Sequence, residues 1–225
     1  MNTLSIKSLN SGQVELIQAE PGPTRVHSVA DWDFEKGEEK RSLSTARYIS
    51  PPTSLRIGFP SVGSFPNVVL CRVPSTLNLP QGEVRTWMYH GQSTFQPCVF
   101  RNQAALGSAD LQDGYSVVAS GVNIRLWRWV DWVFSERAVE VCPIIVAGWH
   151  HFRVRWYNML GNVCQVELHV EIFWEIAGVW EKMGDTLIDS HPYFASSSRN
   201  RCGFRSTTSS SWPRWIDNTE IHGPP

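Results

Sequence analysis

Between Trp149 and Trp174 apolar and polar side chains alternate one by one, and this period limits the fold more than any other feature of the chain. Phe152, Val154 and Trp156 alternate with His151, Arg153, Arg155 and Tyr157. Val166, Leu168, Val170 and Ile172 alternate with Gln165, Glu167, His169 and Glu171. A period of two belongs to a strand with one dry and one wet face, because successive Cβ atoms point to opposite sides of a sheet. Between the two runs, Asn158-Met-Leu-Gly-Asn162 supplies Asn and Gly, which tolerate the positive φ of a turn. The stretch predicts an antiparallel hairpin whose wet face carries titratable and aromatic groups.

The same signal recurs along the chain. Ser54–Gly58, Val68–Val73, Glu83–Tyr89, Cys98–Arg101, Tyr115–Ala119, Asn123–Trp129, Val139–Cys142, Cys202–Ser206 and Trp215–His222 read as strands. They come at roughly 8–15-residue spacing, with Gly, Pro and Asn clusters between them, and no amphipathic helix or internal repeat interrupts. Ser135-Glu-Arg137 reads as a turn. The fold class expected is all-β, an antiparallel two-sheet sandwich or barrel. At 225 residues, 42% of them hydrophobic, the chain can bury one large core. Residues 1–24 are polar and broken by Glu20-Pro-Gly-Pro23, so they read as an extended N-terminal arm. An ordered arm needs something to lie on, its own body or a neighbouring subunit; we expect contact with other protein subunits, with residues 25–225 forming the sandwich domain.

Several function classes fall away. A net charge of -1 gives no bulk field for nucleic acid. No apolar stretch approaches the ~20 residues of a membrane span. The start of the chain lacks the basic and apolar regions of a secretory signal, so synthesis in the cytoplasm is expected, with virion or extracellular assembly afterwards. The five cysteines are odd in number and form no Cys-x-x-Cys, which disfavours zinc. A disulfide framework would leave one thiol over, and reduced, buried thiols are expected. Eleven Trp, and Arg far in excess of Lys, suit interfaces, since guanidinium groups stack on rings; genome base composition would explain the same bias.

The order of landmarks resembles the concanavalin A-like lectin/glucanase superfamily, the laminin-G-like jelly roll. Asp33-Phe-Glu-Lys-Gly37 with Ser54-Leu-Arg-Ile-Gly58 is similar to that family's opening strands. Gly148-Trp-His-His-Phe-Arg-Val-Arg-Trp156 resembles its Trp-His-hydrophobic-Arg-Val strand. Gly203-Phe-Arg-Ser206 followed by Trp215-Ile-Asp-Asn-Thr-Glu-Ile221 resembles its close. These degenerate motifs cover residues 27–222 and mark a fold more than an activity.

If the Asn123–Trp129 strand lies beside the hairpin, as consecutive strands often do, one surface gathers Arg125, Trp127, Trp129, Arg153, Arg155, Tyr157, Glu167, His169 and Glu171. Such a mixture suits a sugar, whose flat apolar faces stack on rings while its hydroxyls bond to Arg and carboxylates. It equally suits a solvated or subunit-covered face with cross-strand ion pairs such as Arg155 with Glu167. Glycoside hydrolysis is the sharper alternative. Relatives cluster glutamates on one strand, and the comparable segment here is Glu167-Leu-His-Val-Glu171, with His169 where an Asp would stand. Glu167 and Glu171 would sit ~13 Å apart on a strand, against ~5–9.5 Å for paired catalytic carboxyls. Glu167 and His169 would be ~6.6 Å apart, leaving them as weak acid/base candidates. A lyase would use Tyr157, His169 and Arg155. The resemblance also implies a structural calcium held by Asp33, Glu35 and Asp217, with a backbone-bonded corner as the other reading of Asp217. His150 and His151 point to opposite faces of a regular strand. The function expected is a non-catalytic, lectin-like subunit of a larger assembly, such as a virion decoration, capsid-associated or tail protein, that binds glycans. A carbohydrate-active enzyme or free-standing carbohydrate-binding module is the alternative.

Overall fold

The computed structural model describes residues 3–5, 32–34, 41–44, 49, 54–57, 67–71, 81–91, 94–102, 114–130, 133–157, 163–171, 179–191, 201–206 and 214–222. All the regular structure among them is β. The first strands are β1 (Thr3–Ser5), β2 (Trp32–Phe34), β3 (Arg41–Ser44), β4 (Ser54–Ile57), β5 (Asn67–Cys71), β6 (Gly82–His90), β7 (Thr94–Asn102) and β8 (Gly114–Ser120). They are followed by β9 (Asn123–Val130), β10 (Val133–Val141), β11 (Gly148–Tyr157), β12 (Cys164–Glu171), β13 (Trp180–Lys182), β14 (Leu187–Asp189), β15 (Arg201–Ser206) and β16 (Arg214–His222).

The strands pair antiparallel in two sheets. The larger has the order β13-β12-β11-β6-β16-β4-β3, with β1 also on β16 and β14 also on β12. The smaller has the order β10-β9-β8-β7-β15-β5-β2. This is the expected two-sheet sandwich. Of the N-terminal arm, Thr3–Ser5 pairs with His222–Glu220 of the chain's own body; residues 6–24 lie outside the described residues.

The hairpin forms in the register that its alternation demands, with Phe152 opposite Val170 and Trp156 opposite Val166. Phe152, Val154, Trp156, Val166 and Leu168 are buried. The turn at 158–162 and residues 172–174 lie outside the described residues. Aromatic side chains from both sheets fill the space between them. Phe100 of the smaller sheet stacks on Trp156 of the larger at 5.1 Å and on Tyr115 at 5.4 Å, and Phe95 meets Phe152 at 5.1 Å. Gly82 lies opposite Trp156 in the ladder, and a Cβ there would stand 2.7 Å from the indole. Only glycine lets so large a ring lie flat over the neighbouring strand. Cys98, Cys142, Cys164 and Cys202 are buried thiols.

Two expectations need correction. Ser135–Arg137 is not a turn but the middle of β10. That strand carries a bulge in its pairing with β9: Leu126 faces Ala138 and Trp127 faces Glu136, which leaves Arg137 as the extra residue. An extra residue re-aims a side chain, and Arg137 reaches Asp189. The second correction concerns Asn123–Trp129. It pairs with β8 and β10 in the smaller sheet and does not lie beside the hairpin. After β10 the chain leaves that sheet: Pro143 cannot donate to a ladder, and Cys142 N bonds to Val122 O. The rule that consecutive strands neighbour one another breaks where a sandwich chain changes layer.

Asp189 ties the layers at that edge. It lies on β14 of the larger sheet with a fully buried side chain. Its carboxylate accepts from Arg137 Nε and Nη2 at 3.1 Å, Tyr115 Oη at 3.0 Å, His191 N at 3.1 Å and Arg128 Nη1 at 3.4 Å. Burial alone would raise its pKa, but the bonds from Arg137, His191 and Tyr115 outweigh burial and hold it below the usual carboxylate range. A lowered folded pKa gives stability that is present above the unfolded value and lost as pH falls through the folded one. Asp189→Ala is expected to cost about 2 kcal/mol in urea unfolding at neutral pH, because it removes the shared acceptor of buried Tyr115 and of two half-buried guanidinium groups. The deficit should shrink as the pH is lowered below ~4; a deficit under ~0.5 kcal/mol at pH 7 would refute the tie.

Candidate functional site

Because β6 is the strand beside β11, the outer face of the larger sheet differs from the one expected. Its residues fall in rows set by register. Trp215, Tyr89 and Trp149 form the first row. Tyr89 meets both indoles edge-on, at 5.5 Å and 5.8 Å. All three residues are half-buried.

The second row is Trp87 and His151, continued by Glu171 and Trp180. His151 stacks on Trp87 at 4.8 Å with 7° between the planes, and leans on Trp180 at 4.8 Å. Its Nδ1 lies 2.8 Å from Glu171 Oε2. Burial pulls the His151 pKa down, and the Glu171 carboxylate opposes this without cancelling it. His150, on the other side of the strand, stacks on His90 in the interior at 5.2 Å.

The third row is Glu220, Arg85, Arg153, His169 and Lys182; the fourth is His222, Glu83, Arg155 and Glu167. Arg153 Nη2 donates to His169 Nδ1 at 3.0 Å. A guanidinium can only donate, so His169 carries its proton on Nε2 and gives it to Glu167 Oε2 at 3.1 Å. Burial keeps this imidazole below its ordinary pKa, and the nearby Arg153 and Arg155 charges push the same way. Glu167 is the hub. Tyr157 Oη donates to it at 3.1 Å and Thr186 Oγ1 at 3.2 Å, while Lys182 Nζ lies at 3.8 Å and Arg155 Nη1 at 3.9 Å. Burial would raise its pKa, but the bonds from His169 and Tyr157 win and hold it ionised. Arg155 also reaches Glu83 at 3.1 Å, and Glu83 binds Arg85.

Of the residues expected to share this surface, Arg153, Arg155, Tyr157, Glu167, His169 and Glu171 do so. Arg125, Trp127 and Trp129 do not. Arg125 pairs with Glu136 across the smaller sheet. Trp127 stacks on Phe134 at 4.7 Å. Trp129 is buried and donates from Nε1 to Ser116 Oγ at 2.8 Å. Their places are taken by Glu83, Arg85, Trp87 and Tyr89, whose alternation was visible in the sequence but whose neighbour was not. Trp149, Trp180 and Trp215, which the sequence did not single out as site residues, join them on this face.

The acid/base candidates are arranged against hydrolysis. A general acid needs a raised carboxyl pKa, and that of Glu167 is lowered. Glu167 and His169 touch, which leaves no room between them for a glycosidic oxygen. Asp217 Oδ2 accepts from Ile49 N and Oδ1 from Asn218 N, each at 2.8 Å, where a bulge with positive φ at Asn218 interrupts β16. That is the chemistry of a backbone corner. Asp33 lies in the smaller sheet, in β2, and Glu35 lies outside the described residues. Among the described residues no group of three His, Cys, Asp or Glu side chains gathers as a metal site would require.

No protein-family profile matches the chain, and no curated protein matches it in sequence. Its likeness is to solved structures. One is the carbohydrate-binding module CBM66 from Bacillus subtilis: TM-score 0.55 and 10% identity, over 86% of this chain and 96% of that one. The shared feature is the β-sandwich. A GH43 glycoside hydrolase with endo-xylanase and exo-arabinofuranosidase activity matches with TM-score 0.54 and 13% identity, over 88% of this chain but only 39% of the enzyme. A protein of unknown function from Shewanella oneidensis MR-1 matches with TM-score 0.56 and 10% identity, over 98% of this chain and 85% of that one.

His169 and His151 are both expected to titrate below the ordinary imidazole value of ~6.5. With folded pKa values below the unfolded ones, these groups contribute full stability above that value and lose it as pH falls toward the folded pKa. Nitrogen-detected NMR titration should find His169 as the Nε2–H tautomer with an acid-shifted midpoint. An Nδ1–H tautomer, or a midpoint at 6.5 or above, would sink the Arg153–His169–Glu167 relay.

Proposed function

We propose that this chain is a concanavalin A-like jelly roll, of the laminin-G-like kind, that binds glycans on the outer face of its larger sheet without cleaving them. The row Trp215–Tyr89–Trp149 carries the reading. It gathers three aromatic side chains at one level of the sheet, with guanidinium and carboxylate groups two rows away. Sugars present the complement: apolar ring faces and a rim of hydroxyls. The module-length likeness to a carbohydrate-binding sandwich supports it, as does the ionised, saturated state of Glu167. On a glycan array, Tyr89→Ala and Trp149→Ala should each weaken binding about tenfold, the loss of ~1.4 kcal/mol of stacking. Trp127→Ala tests the other face. If it abolishes binding while the first two leave it intact, the ligand sits on the smaller sheet beside Trp127 and Arg125.

A second reading, subunit of a larger assembly such as a virion decoration or tail protein, is favoured by the edge strand β10. Val133, Phe134 and Val141 there are 70%, 52% and 74% exposed, and Ile144 and Val146 continue the strip. A long edge strand with exposed apolar side chains is a template for pairing with another chain. Light scattering should find the protein self-associated and Phe134→Glu with Val141→Glu monomeric; deletion of residues 1–24 tests the arm separately. A wild type that stays monomeric at high concentration counts against both contacts.

A further inference from the structure

We infer that the glycan recognised on this face is acidic, and that Arg153 is the residue that meets its carboxylate. The inference rests on the glycan reading above and narrows it.

The argument starts from charge. Arg85, Arg155 and Lys182 each have a carboxylate oxygen within salt-bridge reach, from Glu83 or Glu167. Arg153 has none. Its Nη2 hydrogen bond ends on a neutral imidazole, and its Nε–H is buried without an acceptor. Its guanidinium faces the Trp180 ring at 4.8 Å, with that of Arg85 at 5.9 Å from the same ring. Register puts Arg153 directly opposite Arg85. Like charges placed opposite each other in a sheet are destabilising, and a half-buried cation without an anion is more so. Burial is the largest cause and depresses the Arg153 pKa; the Glu83 and Glu167 charges pull it up, the Arg155 and Arg85 charges pull it down, and the lowering prevails.

A stable sheet face would place a carboxylate here, and the chain places one everywhere else on this patch. His169 makes the arrangement purposeful. It is held neutral, so it fixes the Arg153 fork through Nδ1 without neutralising it, and it passes its own proton to Glu167. The remaining guanidinium N–H groups keep their capacity for a planar two-oxygen acceptor, which a carboxylate is. The arginine row and the aromatic row are four strand positions apart along β6, Arg85 to Tyr89, or ~13 Å. One sugar cannot touch both; an oligosaccharide of acidic sugars can stack on the rings and place a carboxylate at Arg153.

The test compares each acidic oligosaccharide with its own carboxyl-reduced twin, which differs only in that group. Oligogalacturonate, oligoalginate and glucuronoxylan fragments serve as probes, titrated calorimetrically into the whole chain. At least one acidic probe is expected to bind about tenfold or more tightly than its twin, the worth of one charge-assisted pair. Arg153→Met should erase that difference, weakening the acidic probe about tenfold more than its twin so that the two bind alike. Arg153→Lys keeps the charge and packing but not the fork, and should retain part of the preference. Should the Met variant fail to fold, the salt dependence of the wild type decides: only the acidic probes should weaken as salt rises. If every probe binds as its twin does, the acidic preference is wrong and the glycan reading stands. If neither probe nor twin binds, both fall.

Discussion

Aromatic packing between the sheets is the interaction on which the rest of the structure depends. Phe152 and Trp156 of the larger sheet meet Phe95, Phe100 and Tyr115 of the smaller, and all five are fully buried. Burying aromatic side chains contributes a few kcal/mol each, and offset rings add directional preference. The layer fixes which side of β6, β11 and β12 faces inward. Once Phe152, Val154 and Trp156 are inside, His151, Arg153 and Arg155 have no choice but the outer face. The site is therefore a consequence of the core, read on the opposite side of the same strands.

Two features adapt the layer to this sequence. Gly82 vacates the space over which the Trp156 indole lies, and the buried Asp189 carboxylate joins strands of both sheets at one edge. The second would be expensive without its partners. Three side chains and one backbone N–H satisfy it, and one of those side chains, Arg137, arrives only because a bulge in the β9–β10 pairing turns it inward.

The outer face shows how neighbours set chemical character. Glu167 alone would be an ordinary carboxylate or a catalytic candidate. With Tyr157, Thr186 and His169 all donating to it, it becomes a fixed acceptor that orients its donors. His169 in turn is neutral because burial and two guanidinium groups outweigh one carboxylate. Its neutrality leaves Arg153 as the one described arginine or lysine on this patch with no carboxylate oxygen at salt-bridge distance among the described residues. Recognition, more than proton transfer, is the chemistry such a network offers.

Much of this was legible before the fold was known. The period-two runs located β6, β9, β11 and β12, pointed to the all-β class, and separated Arg153, Arg155, Glu167 and His169 from the core, because alternation is a local property of an extended backbone. The pairing of the hairpin followed for the same reason. Which strand lies on its free side was not local. β6 and β11 are separated by some fifty residues and two changes of layer, and no spacing rule distinguishes β6 from β9 as the neighbour. Tertiary structure alone therefore exchanged Arg125, Trp127 and Trp129 for Glu83, Arg85, Trp87 and Tyr89, brought Trp180 over the arginines, and turned Arg137 onto Asp189. Side-chain direction is written residue by residue along the chain; strand neighbourhood depends on how two sheets close around one core.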